Sequence, residues 1–137
     1  MRCLFLMLVV FWTSPNQAEG LWIIASPEVP DITLTVEQLA DIYSLKKYFW
    51  SDNTRVVPVN REASSEERGK FSRAVFDLSP LELAEYWNKL RFQGKLPPLI
   101  QASDQAVLGF VRSVPGAIGY IHANQPVSGV KILLRLP

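Results

Sequence analysis

The sequence predicts an α/β domain of three layers, with helices covering both faces of a sheet. Two observations carry that expectation. Apolar runs of strand length alternate with stretches of helical periodicity. Three of the helical stretches open on a hydroxyl residue followed three positions later by Glu or Gln, the signature of a capped helix start.

Leu21-Trp22-Ile23-Ile24-Ala25-Ser26 is a short apolar run closed by Pro27 and Pro30, and reads as a buried strand. Thr35 with Gln38 opens the first helix, Leu34 and Leu39 forming a staple across its start. Leu39 and Tyr43 share its inner face, and it fades at Ser44-Leu45-Lys46-Lys47, where cations suit a C-terminus. Tyr48 to Thr54 is aromatic and then turn-like, and Arg55 to Asn60 is a second strand. A helix beginning near Ser64, with Glu67 completing the capping pair, is expected to bury Phe71, Ala74 and Val75 and to pair Glu66 with Lys70 outside. Ser79-Pro80-Leu81-Glu82 starts the next, with proline where a missing N–H costs nothing. Leu83, Ala84, Trp87 and Leu90 form its stripe, and Gly94 then Pro97-Pro98 stop it. Ser103-Asp104 opens a last helix with Val107, Phe110 and Val111 inward. Pro115-Gly116 turns into a strand over Ala117 to Ile121, and Val130 to Leu136 is the final strand.

Residues 1–18 read differently. A short basic start at Arg2, an apolar run from Leu4 to Trp12 and a polar tail ending at Ala18 make a secretory signal peptide, too short to span a bilayer. The expected organisation is a leader over 1–18 and one domain over 19–137, exported in soluble form to the periplasm. Removing the leader takes Arg2 from the 14 Lys and Arg and leaves the 13 Asp and Glu untouched, so the remaining chain is formally neutral. Neutrality speaks against a nucleic-acid partner. Cys3 leaves with the leader, and His122 is the one histidine, so no metal-ligand cluster and no cofactor are expected. His122, after a strand, reads as an ordinary loop residue.

Chemistry concentrates at the junction Asn60 to Phe71. A helix start presents unpaired N–H groups that can hold an anion, and Arg61, Ser64, Ser65 and Arg68 stand beside this one. The same residues fit plain helix capping, and Glu66 and Glu67 would repel an anion while complementing the helix dipole. A serine nucleophile in a Ser-x-x-Lys pattern from Ser65 would need lysine where Arg68 stands, and arginine cannot act as the base. No catalytic residues are assigned, and the chain is expected not to be an enzyme.

Four segments in order resemble the phosphate ABC-transporter substrate-binding proteins. Leu34 to Tyr43, followed by a lysine pair and Trp50, is similar to that family's L-[ST]-x-x-x-L-x-x-I-[FY]-x-G-K-x-x-x-W. Pro58-Val59-Asn60-Arg61 through Phe71 resembles its strand and R-x-x-G-S-G-T-R-x-x-F segment. Tyr86-Trp87 with Phe92 to Lys95 and Pro97-Pro98 is similar to its next helix and loop. Pro115 to Tyr120 matches P-G-A-I-G-Y. The resemblance implies one lobe of a type 2 periplasmic-binding-protein fold, with inorganic phosphate or a similar oxyanion as ligand. It implies Arg61, Ser65 and Arg68 as contacts, with Ser64 where the family has glycine and Glu66 and Glu67 where it has glycine and threonine. A lone lobe leaves one side of an anion in water, so a dimer, a transporter subunit or a sensor subunit is the expected means of completing a site. The alternative is a periplasmic interaction module that keeps the fold and no longer holds a ligand.

Overall fold

The computed structural model describes residues 20–137; the expected leader over 1–18 lies outside them. The elements in chain order are β1 (Leu21–Ala25), α1 (Val36–Tyr43), β2 (Val57–Arg61), α2 (Glu66–Phe76), α3 (Pro80–Phe92), β3 (Leu99–Gln101), α4 (Asp104–Ser113), β4 (Ala117–His122) and β5 (Lys131–Leu136). Their five-stranded sheet has the order β3-β2-β4-β1-β5, with β2 parallel to β3 and β4, and β1 antiparallel to β4 and β5.

Three layers form because alternate residues of the central strands face opposite cores. Ile23, Ile118 and Tyr120 pack with Leu39, Ile42 and Tyr43 of α1 and Phe71 of α2. Ile24, Val59, Ala117 and Ile121 pack on Val107 and Val111 of α4. Leu83, Trp87 and Leu90 of α3 make a satellite cluster with Leu45 and Phe76. Thr35 and Ser79 cap α1 and α3 as full capping boxes.

The α2 start departs from expectation by one residue. Its N-cap is Ser65, whose side chain accepts from the Arg68 N–H at 3.1 Å. The third helical position is then Arg68, which cannot accept a bond back from the cap, so the expected Ser64–Glu67 capping pair is absent. Inside α2, Phe71 is buried and Val75 packs against the core as expected, but Ser72 is buried and Ala74 is exposed. Strand β3 was not foreseen: it has three residues, and both Leu99 and Ile100 are half exposed, so no alternation marks it.

β2 and β4 pair only at Val57↔Ala117 and Pro58↔Ile118. Beyond that point the Tyr43 hydroxyl donates to the Val59 and Ile118 carbonyls, at 2.8 and 3.2 Å, bridging the two strands as their direct pairing stops. The carboxyl ends of β2, β3 and β4 therefore lie side by side with α2 on one face and α4 on the other. In open α/β sheets that is where ligand crevices form.

Candidate functional site

Arg61 is the last residue of β2, His122 the last of β4, and Asp104 the first of α4. Glu67 lies in the first turn of α2. The fold brings all four together. Arg61 is only 6% exposed. Its Nη1 lies 2.7 Å from Asp104 Oδ1 and its Nη2 lies 3.1 Å from Glu62 Oε1 and 3.7 Å from Glu67 Oε2. The other Glu67 oxygen sits 2.6 Å from His122 Nε2. Asp104 Oδ2 accepts from the His122 N–H at 3.1 Å and from the Gln125 side chain at 2.9 Å. On the inner side, Tyr120 stacks on Phe71 with centroids 4.0 Å apart and donates its hydroxyl to Asn60.

The one-residue shift of the helix start explains the arrangement. With Ser65 as cap, Glu67 is the second helical residue, and its carboxylate reaches across to Arg61 and His122 rather than back to the cap. Its two oxygens are thereby divided between the Arg61 guanidinium and His122. Glu66 points outward and pairs with Lys70 at 3.3 Å, as the spacing predicts.

The site residues named from sequence fall into two groups. Arg61 is enclosed by carboxylates. Ser65 is committed to its capping bond, Ser64 is exposed, and Arg68, which lines a neighbouring cavity, donates its Nη1 to the Arg61 carbonyl at 2.9 Å. Sequence reasoning missed Glu62, Asp104 and His122. His122 is a strand residue whose Nε2 meets the Glu67 carboxylate, not a loop residue; its place as the only histidine at a strand end was the one available signal.

Burial opposes the charge on Arg61, yet the bond to Glu62 and the fields of Glu67, Glu62 and Asp104 raise its pKa above the ordinary arginine value. The bond from Arg61 lowers the Glu62 pKa below its usual 4.5. A carboxyl lowered in the folded state stabilises the fold fully above its unfolded pKa, and that contribution is lost as pH falls through the lowered folded value. The melting temperature is therefore expected to fall as pH drops below about 4.5, more shallowly in Glu62→Gln than in wild type. Equal pH profiles for the two proteins would refute that coupling.

Two cavities open beside β3, and the smaller of them adjoins the site. One, of about 400 Å³, is lined by Glu62, Arg68, Trp87, Asn88, Arg91 and Ile100 among others. The other, of about 470 Å³, is lined by Lys47, Arg55, Lys95 and Leu99 within a largely apolar wall. Among the described residues no group of His, Cys, Asp or Glu could hold a metal ion, and no helix is long and apolar enough to cross a membrane.

No protein-family model and no curated protein matches the chain. Solved structures do. A phosphate ABC transporter substrate-binding protein from Clostridium perfringens with bound phosphate aligns with TM-score 0.69 at 24% identity, over 84% of this chain and 44% of that one. An ABC-type phosphate transport receptor from Vibrio cholerae aligns at 0.66 and 24%, over 84% and 45%. PstS from Borrelia burgdorferi aligns at 0.61 and 24%, over 84% and 46%. The chain thus has the fold of one lobe of these proteins and spans less than half of their length.

Proposed function

We propose that this chain is a recognition domain of the cell envelope that keeps a phosphate-binding lobe's fold and serves phosphate uptake or sensing by docking on another protein. A periplasmic partner site on a membrane transporter or sensor subunit fits this reading. The observation that carries it is the occupied cradle. Arg61 is held by Asp104, Glu62 and Glu67, and the Glu67 carboxylate lies between Arg61 and His122. Arg61 alone faces three carboxylates, so the balance at its guanidinium is negative and a phosphate dianion meets net repulsion there. A binding role also suits the serines better than catalysis, since Ser65 serves as a cap and His122 is engaged with Glu67.

Direct capture of phosphate or a similar oxyanion by Arg61, Ser64, Ser65 and Arg68 is the second reading. The exposed Ser64 hydroxyl and the Arg68 guanidinium favour it. Thermal shift and calorimetry with inorganic phosphate separate the two. The docking reading expects no heat and no rise in melting temperature for wild type at about 10 mM phosphate, whereas ligand at ten times its Kd would stabilise by about 1.4 kcal/mol. Glu67→Thr, which removes the resident carboxylate, is expected to gain a phosphate response. A wild-type response abolished by Ser64→Ala with Arg68→Ala would establish the oxyanion reading instead.

A further inference from the structure

β3 is an outer strand of the sheet, paired only with β2. Its two apolar side chains point to opposite faces, Leu99 at 53% and Ile100 at 51% exposed. Each opens onto a different cavity, Leu99 onto the larger and Ile100 onto the smaller. Exposed Leu96 precedes the strand and exposed Phe92 ends α3 just before it, so the apolar surface runs on along the chain. Scattered apolar residues on a surface mean little, but an uncovered strand edge with apolar side chains on both faces is a template for another strand.

The charge around this edge is mostly positive. Lys47, Arg55 and Lys95 line the larger cavity, and no acidic residue does. Arg68 and Arg91 line the smaller, where the one acid is Glu62, already bonded to Arg61. Among the described residues none of these five cations is in ion-pair contact with a carboxylate. A chain that is neutral outside its expected leader thus gathers unpaired positive charge along a single strand edge.

From this we infer that the β3 edge is a docking site for an extended acidic segment of another protein, which adds a strand beside Leu99–Gln101. Main-chain hydrogen bonds to the edge would supply affinity, and side chains alternating to the two faces would enter the two cavities. Acidic residues flanking the added strand would meet the five cations, which also raise the encounter rate. Pro97-Pro98, just before the strand, lack donors and confine pairing to a short register, which limits open-ended edge-to-edge association. The inference rests on the docking reading and gives the partner its chemistry.

The test uses a fluorescein-labelled peptide, Glu-Asp-Val-Ile-Val-Asp-Glu, with the full chain, read by fluorescence anisotropy at low salt. Binding is expected, weakened about tenfold or more by Arg91→Glu with Lys95→Glu, a change of about 1.4 kcal/mol. It is expected to be lost in Ile100→Asp and with a peptide N-methylated at alternate amides. Circular dichroism establishes that both variants fold, and these surface positions should leave melting nearly unchanged. Equal binding of the N-methylated peptide, or of one with lysines in place of the acids, would overturn the inference. So would a dimer in sedimentation that Ile100→Asp dissolves, since the edge would then belong to a second copy. Failure of the peptide with phosphate still inert overturns this surface alone. Uptake of phosphate by wild type overturns the docking reading itself.

Discussion

Arg61→Ala is expected to lower stability by about 3 kcal/mol and the melting temperature by roughly 10 °C. The guanidinium is almost wholly enclosed, and the carboxylates it holds are themselves largely covered, Glu67 at 14% and Asp104 at 13% side-chain exposure. Removing the cation leaves those carboxylates facing each other with little water. That residual charge, more than the lost bonds, sets the cost. The diagnostic comparison is Arg61→Met with Glu67→Gln and Asp104→Asn in one chain. Neutralising these three enclosed groups is expected to recover most of the loss, because the one carboxylate left charged, Glu62, has 36% of its side chain exposed to water. Urea unfolding of wild type, Arg61→Ala and the triple variant measures both. A loss under about 1 kcal/mol in Arg61→Ala would place the cluster among surface ion pairs, which contribute that little, and remove the support for a closed cradle.

Gly116→Ala is expected to be at least as severe. Gly116 has φ +78°, in the left-handed region, and an added Cβ would lie 2.1 Å from the Arg55 carbonyl oxygen. The left-handed backbone alone costs an alanine about 1–2 kcal/mol, and the clash is with backbone, so the β2 approach itself must move. Its carbonyl also accepts the Val57 N–H at 3.0 Å and the Trp50 indole N–H at 2.9 Å. Trp50 is one of the largest fully buried side chains. Displacing one glycine therefore disturbs the start of β2 and the anchor of the 48–54 loop together. The expected result is a loss of about 3 kcal/mol or more, with Trp50 emission shifted toward that of an exposed indole. Melting within about 3 °C of wild type, under 1 kcal/mol at this size, would mean that the turn has room the geometry does not show.

Much of this architecture was legible before any coordinates. Thr35, Ser79 and Ser103 cap helices where expected because a cap is decided by residues within one turn of each other. Leu83, Trp87 and Leu90 are buried together because helical spacing puts them on one face. Gly94 lies just past α3 with φ +77°, the conformation its residue type admits. The order of strands and helices led to the correct three layers, and the four segments that resemble the phosphate-binding proteins led to the correct likeness in fold.

The failures share a different cause. Ser64 and Ser65 are equally good caps by residue type, and choosing between them depends on whether Glu67 is better placed toward its own helix start or toward Arg61 and His122. Those partners are six residues behind and fifty-five residues ahead, on separate strands. β3 carries no alternation and exists because β2 offers it an edge. What this sequence determined by itself is every feature fixed by neighbours along the chain: caps, stripes, stops and the succession of elements. Tertiary structure alone decided that Glu62, Glu67, Asp104 and His122 converge around Arg61 and that cations gather beside an open strand. Electrostatic energy depends on distance in space, and residues distant in sequence acquire that distance only when the sheet has closed its order.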